Sequence, residues 1–222
     1  IKIFILAGGF GTRLKEIVSD VPKPMAPINK KPFLSYQISQ IRKYYPQTMI
    51  YLLTHYKSSV IESYFKNEPL INVIKEDKPL GTGGSIKNAI NYLELNNNDS
   101  LLIINGDTFI EPNFADFINR KYSDITLMTK LENNCDRVNT LKINNSKIEE
   151  FFDLKAGEKN AYISVGCYFF KNLSFFKNIE EDVFSIEMKF KEYVKNQSLD
   201  AFIYNGVFID IGIPTDYIKM NS

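Results

Sequence analysis

Ile1-Lys2-Ile3-Phe4-Ile5-Leu6-Ala7-Gly8-Gly9-Phe10-Gly11-Thr12-Arg13-Leu14 opens the chain. Apart from Lys2 its first seven residues are apolar, and they run straight into glycines. A strand covered on both faces reads this way, because neither face needs polar alternates. An export signal would show a basic start, a longer apolar stretch and a small-residue cleavage site. In open α/β sheets, ligands bind where strands end and glycine turns begin. Glycine tolerates positive φ and lets several backbone N–H groups approach one anion. Arg13 adds a permanently charged, planar fork suited to phosphate oxygens. The spacing matches neither the dinucleotide fingerprint nor a P-loop. On these residues alone, a tight strand-to-helix turn with an exposed Arg stands equally beside an anion cradle.

Working outward, short apolar runs alternate with amphipathic segments. Strands are expected at Ile1–Ala7, Thr48–Thr54, Asn72–Glu76 and Ser100–Asn105, with helices at Pro32–Tyr45, Lys57–Asn67 and Gly84–Glu94. In the last, Ile86, Ala89, Ile90 and Leu93 recur at spacings of three and four, giving one apolar face. Such alternation predicts βαβ units and a parallel sheet. The second half is richer in strands: Asp124–Lys130, Arg137–Ile143, Ile148–Phe152, Tyr162–Lys171 and Leu199–Tyr204, with a helix at Phe184–Lys195. Asn133–Asp136 and Leu154–Asn160 read as surface loops. With no internal repeat or long linker, residues 1–222 are expected to form a single α/β domain.

Composition excludes several classes. The 222 residues carry 27 basic and 26 acidic side chains, a net charge of +1, which gives no bulk attraction to nucleic acid or an anionic membrane. A hydrophobic fraction of 44% argues against disorder, and no apolar run approaches the ~20 residues of a membrane span. Cys135 and Cys167 lack metal-type spacing and fit thiols in a reducing cytoplasm, where a disulfide between them is not expected. No stacking stripe of aromatics supports nucleic-acid binding. With no initiating Met, residue 1 is expected to lie just inside the natural chain.

Four further segments carry candidate chemistry. In Val21-Pro22-Lys23-Pro24-Met25-Ala26-Pro27, prolines stiffen the backbone around one Lys, which suits a phosphate contact or simply a rigid connector. Glu76-Asp77-Lys78-Pro79-Leu80-Gly81-Thr82-Gly83-Gly84-Ser85 joins a strand to a helix, with Gly84 or Ser85 opening the helix and its N-terminus favouring an anion. Asn105-Gly106-Asp107 places an Asp beyond a buried strand, suited to Mg²⁺ or to capping a turn. Phe208-Ile209-Asp210-Ile211-Gly212-Ile213-Pro214-Thr215-Asp216-Tyr217 supplies a second carboxylate. His55, the only histidine, reads as a loop residue at a strand end.

Gly8–Arg13 followed by Pro22-Lys23-Pro24-Met25 resembles the signature of sugar-1-phosphate nucleotidyltransferases. The resemblance continues through Leu80-Gly81-Thr82-Gly83-Gly84, Gly106-Asp107 and the Asp-x-Gly-x-Pro-x-Asp-Tyr stretch from Asp210, so it spans nearly the whole chain. It implies a Rossmann-like nucleotidyltransferase fold with a mixed, mostly parallel central sheet flanked by helices. It implies that Leu6, Ala7, Gly8, Gly9, Gly11, Thr12 and Arg13 hold a nucleoside triphosphate, that Lys23 contacts phosphate near the transfer site, and that Gly81, Thr82 and Gly83 lie along base and ribose. Glu76 is a further candidate acceptor for base N–H groups. Asp107 and Asp210 match the family's Mg²⁺ ligands, Asp216 a structural cap, and Arg13, Lys23 and Asp107 the catalytic set.

The sugar side departs from the family. Lys155 in Phe152-Asp153-Leu154-Lys155 and Gly166 in Ile163-Ser164-Val165-Gly166 match sugar-phosphate positions, but Leu154 stands for the usual Glu and Ser164 for the usual Asn. Glu158-Lys159 offers a competing alignment, and Arg137 reads as a solvated residue or a sugar-phosphate contact. Within the family the Lys23–Leu34 and Leu80–Ile86 stretches look most like the branch that joins GTP to D-glycero-D-manno-heptose 1-phosphate, giving GDP-heptose for surface polysaccharides. The resemblance thus implies a cytoplasmic enzyme acting on GTP and a sugar 1-phosphate, with no nucleic-acid or membrane partner; a homo-oligomer is compatible. Two alternatives stay open: a uridylyl- or thymidylyltransferase acting on a hexose 1-phosphate, and a non-catalytic nucleotide-binding regulatory subunit.

Overall fold

A computed structural model describes residues 1–11, 14, 17–120, 123–133, 140–154 and 160–221. In chain order the elements are β1 (Lys2–Leu6), β2 (Pro27–Ile28), β3 (Lys31–Pro32), α1 (Phe33–Arg42), β4 (Ile50–Thr54), α2 (Ser58–Phe65), β5 (Ile71–Lys75), α3 (Gly81–Tyr92), β6 (Leu101–Asn105) and β7 (Thr108–Ile110). They continue with α4 (Phe114–Asn119), β8 (Ile125–Glu132), β9 (Thr140–Asn144), β10 (Lys147–Phe152), β11 (Ala161–Phe170), α5 (Ser174–Lys177), α6 (Ile186–Tyr193), β12 (Leu199–Ile203), β13 (Phe208–Asp210) and α7 (Pro214–Asn221).

The main sheet runs β5-β4-β1-β6-β11-β8-β12-β10-β9. Its first four strands pair in parallel. Beyond β6 the pairings are antiparallel, except for β12 beside β8. The sheet is therefore mixed, with its parallel part built by the first half of the chain. From β1 the chain steps outward to β4 and β5, then returns to the opposite side of β1 as β6. That reversal leaves a crevice beyond the strand ends, where α/β folds bind ligands.

Alternation along β1 divides the core. Ile3, Ile5 and Ala7 face one layer with Leu34, Ile38 and Ile41 of α1, Ile61 of α2 and Phe117 of α4. Phe4 faces the other with Ile86 and Ile90 of α3 and Phe190 of α6. Both faces are covered, which is why the opening heptad carries so little polarity. A third cluster joins Leu14, Ala26, Ile28 and Phe33 to Ile211 and Tyr217. Tyr217 Oη also donates to Pro27 O at 2.8 Å. Residues near the two ends of the chain are thereby fastened together, and burial of Ile211 alone is worth about 2 kcal/mol.

Element boundaries mostly fall within two residues of those expected. The main exceptions are informative. Helix α3 begins at Gly81, not Gly84, because Gly83 N and Gly84 N donate to Phe184 O at 3.0 and 3.2 Å. That bond comes from a distant segment and has no local sequence signal. The hairpin β2–β3, β7, α4 and α5 were too short to show a period. Cys167 is a free, buried thiol. Cys135, Arg137 and most of the expected 133–136 and 154–160 loops lie outside the described residues.

Candidate active site

Two carboxylates far apart in sequence meet through a small two-stranded sheet. Strand β7 follows Gly106-Asp107, and β13 ends in Asp210; the two pair antiparallel with Asp210 opposite Thr108. Ile211 N donates to Asp107 O at 3.0 Å, closing the ladder beside both side chains. Asp210 Oδ1 accepts from Gly212 N at 2.8 Å, and Asp210 N donates to Asp216 Oδ2 at 3.4 Å. Lys23 Nζ reaches Asp107 Oδ2 at 2.6 Å. Lys23 Nζ and Asp210 Oδ1 both press on the position a Cβ of Gly212 would occupy, so any side chain there would be driven into the ion cluster. Lys23 itself sits in a 3₁₀ turn, Lys23–Met25, set by the flanking prolines.

Gln37 braces this end from below. It is only 4% exposed, and its Nε2 donates to Asn105 O at 2.8 Å and also to Thr108 O. Those two carbonyls bracket the Gly106-Asp107 turn. Gly106 N donates to Leu6 O at 2.9 Å, which ties the turn to the end of β1.

A cavity of about 260 Å³ extends from this cluster across the strand ends. Leu6, Gly8, Gly9, Gly11 and Lys23 form one wall; Glu76, Gly81 and Thr82 form another; Asp107 closes an end. Gly11 adopts φ +61°, and a Cβ there would touch Lys23 Cβ, so the glycine lets the loop pack on the lysine stem. Glu76 is buried at the far side. It accepts from Ser85 Oγ and from the Leu80 backbone. Burial pushes its carboxyl above the usual range, against the opposing pull of those hydrogen bonds and of His55. His55 Nδ1 lies 3.1 Å from Glu76 O; a carbonyl only accepts, so that nitrogen carries the hydrogen.

Several expected contacts sit elsewhere. Ala7 is fully buried, with its N–H given to Leu53 O at 2.7 Å. Gly83 lies behind the cavity wall, where a Cβ would strike the Phe184 ring. At the α3 N-terminus the N–H groups of Gly83 and Gly84 are taken by Phe184 O and so are not open to an anion. Gly166, at φ +72°, packs on the Asn105 carboxamide, which in turn lines the cavity. Asp216 lies in the first turn of α7 and steadies Asp210 through its backbone. Thr12, Arg13 and Lys155 lie outside the described residues.

The wall also includes residues that the sequence did not flag as site residues: Phe10, Pro24, His55, Leu80, Ser85 and Asn105. Two carried a signal. Phe10 is an aromatic stranded between glycines and is 46% exposed. Asn105 is a polar residue ending an otherwise apolar strand, and its Oδ1 is buried with no hydrogen-bond partner among the described residues.

The sequence profile of the nucleotidyl transferase family matches residues 2–222. The chain belongs to that family. Among similar nucleotidyl transferases, D-glycero-alpha-D-manno-heptose 1-phosphate guanylyltransferase of Campylobacter jejuni subsp. jejuni serotype O:2 is 37% identical over 219 residues, covering 97% of this chain and 96% of that protein. The enzyme of the same name from Aneurinibacillus thermoaerophilus is also 37% identical, over 226 residues, with 98% and 96% covered. The crystal structure of HddC from Yersinia pseudotuberculosis complexed with GMP-PN superposes with a TM-score of 0.80 at 33% identity, covering 99% of this chain and 97% of that one.

Nucleotidyl transferases of this family generally use a divalent metal. The residues present fit one. Asp107, just before β7, and Asp210, at the end of β13, offer hard oxygen donors, and the Lys23 ammonium already pairs with Asp107. Among the described residues no cluster of three or more His, Cys, Asp or Glu could hold a metal by itself. A two-carboxylate site suits a hard divalent cation that completes its coordination with other oxygens. No helix among the described residues is long and apolar enough to cross a membrane.

Proposed function

We propose that this protein transfers GMP from GTP to D-glycero-D-manno-heptose 1-phosphate, giving GDP-heptose and pyrophosphate. The observation that carries the choice of base is Glu76. A carboxylate only accepts hydrogen bonds. Guanine presents two adjacent donors, N1–H and N2–H₂, on one edge. Uracil and thymine present a single N–H between two carbonyls, and those carbonyls would face the carboxylate's negative oxygens. Glu76 follows β5 and Asp107 follows β6, three strand spacings of ~4.8 Å away in the sheet order. That span suits a nucleotide with its base beside Glu76 and its phosphates beside Lys23 and Asp107. The bound GMP-PN of HddC and the names of the two guanylyltransferases favour the same base and sugar.

In the reaction, a phosphate oxygen of the sugar 1-phosphate attacks the α-phosphorus of GTP. The bond from that phosphorus to the α–β bridging oxygen breaks, and pyrophosphate leaves with the electron pair. Gly8, Gly9 and Gly11 cradle the triphosphate through their backbone, and Lys23 stabilises charge on its phosphates. By family resemblance, Arg13 holds the departing pyrophosphate and Lys155 the sugar phosphate. Asp107 and Asp210 would hold Mg²⁺, which when bound neutralises the phosphate charge and fixes the in-line geometry. The attacking phosphate is already ionised, so no general base is required and His55 serves the cavity wall. Positioning and electrostatics then supply most of the acceleration. No part of this chemistry needs a membrane or nucleic acid, and a cytoplasmic setting supplies both substrates.

Pyrophosphate release with GTP, UTP, dTTP, CTP and ATP, each against heptose 1-phosphate and mannose 1-phosphate, with Mg²⁺ and with chelator, tests the proposal. GTP with the heptose should dominate and chelator should abolish turnover. Preference for UTP or dTTP would refute the assignment of base. Nucleotide binding without any turnover would favour the regulatory subunit. Glu76→Gln should lower the preference for GTP over UTP by about tenfold to a hundredfold, as removal of a buried charged acceptor does.

A further inference from the structure

Thr82 faces the cavity, yet its hydroxyl is engaged by the protein. Its Oγ1 donates to Glu187 Oε2 at 2.8 Å and accepts from Ile186 N at 2.9 Å. Glu187, 105 residues further along the chain, also accepts from Ser185 Oγ at 2.6 Å and from Tyr168 Oη at 3.3 Å. Burial, and then the charge of Glu187, push the Tyr168 phenol well up, so it stays a donor. Three hydroxyls therefore converge on one carboxylate that does not itself line the cavity.

The same segment closes over the start of α3. Phe184 N donates to Leu80 O at 3.0 Å, and Phe184 O takes Gly83 N and Gly84 N. Lys87 Nζ, from α3, donates to Glu180 O and Glu181 O, both at 3.0 Å, and pairs with Asp182 at 3.1 Å. The first turn of α3 holds three glycines and has no side-chain cap of its own. Glycine loses more freedom on ordering than any other residue, so this turn is held by what lies on it.

We propose that Glu187 is a positioning residue for nucleotide binding. It fixes Thr82, and with it the Leu80–Thr82 wall against which the nucleobase lies. The inference rests on the nucleotidyl-transfer reading above. Without Glu187 the wall is ordered only when nucleotide arrives, and the cost falls on nucleotide affinity. The chemical step is spared, because Asp107 and Asp210 are held by β7, β13 and α7.

Calorimetric titration with GTP, together with steady-state kinetics, tests this. Glu187→Ala should raise the Kd and KM for GTP about tenfold, with kcat and the KM for sugar 1-phosphate within about twofold. Glu187→Gln keeps an acceptor for Thr82 and should recover most of the affinity. Thr82→Val breaks the same link from its other side, so the double variant should bind no more weakly than the weaker single variant. Glu187→Asp, which withdraws the carboxylate by one methylene, carries the test should the alanine variant fail to fold. GTP binding by Glu187→Ala equal to wild type, a matching fall in kcat, or losses that multiply in the double variant would overturn the proposal. Failure of wild-type protein to bind any nucleoside triphosphate would instead overturn the parent reading.

Discussion

Among single side chains, Gln37 shows how a buried amide can serve a carboxylate it never touches. Replacing it with Leu leaves the carbonyls of Asn105 and Thr108 without their donor, at about 1–3 kcal/mol. Gln37→Leu should lower the melting temperature and raise the Mg²⁺ concentration needed for half-maximal turnover; a lower melting point with unchanged Mg²⁺ dependence would leave Gln37 a purely structural role. Glu76 gives a prediction of opposite sign. Its folded pKa lies above its unfolded one, so its contribution to stability is fullest below the unfolded value and is lost as pH rises through the folded value. At neutral pH the charged form is a burden on the fold, and Glu76→Gln should melt higher than wild type there while losing guanine preference. Thermal scans at pH 4 and pH 7 check this, since the difference should shrink in acid. A residue such as Asp107 was legible because a motif surrounds it. Gln37 was not, because its partners are carbonyls brought to it by tertiary folding.

For the elements, the first turn of α3 sets two effects against each other. Gly→Ala inside a helix ordinarily gains about 1 kcal/mol from propensity. At Gly84 the added Cβ would strike the carbonyl of Asp182, backbone that cannot swing aside like a long side chain. Overpacking of this kind costs about 1–3 kcal/mol, so the clash outweighs the propensity. Gly84→Ala should therefore destabilise, measured by the denaturant midpoint, and should weaken GTP binding as the segment 180–187 lifts from α3. The sequence showed the strand–turn–helix order plainly, since hydrophobic period and glycine punctuation are local. It misplaced this helix start by three residues and read Gly83 as a ligand contact, because the capping group comes from residue 184. The β2–β3 hairpin and β7 were silent for a related reason: two or three residues carry no period, and pairing alone defines them.

Across the whole molecule, Cys167 reports on global opening. It is fully buried in the centre of β11, and burial drives its thiol far above the ordinary range, so the reactive thiolate forms only when the core is exposed. In a Cys135→Ser background, labelling of Cys167 by a thiol reagent should follow unfolding. GTP at a hundred times its Kd should slow it about a hundredfold, the linkage expected of a ligand that binds only the folded state. Rapid labelling of native protein would show that β11 opens on its own. The parallel half of the sheet and the crevice over it could be anticipated from the alternation of segments, and the antiparallel half only as strands without partners. What sequence order hides most is that the last short strand, β13, completes a centre begun at β6. All nine strands of the main sheet precede residue 204, whereas Asp210 comes later. A chain cut between residues 204 and 209 would thus keep every strand of the principal scaffold and lose one of the two carboxylates proposed to hold the ion. Such a fragment should inherit a framework without the means to work.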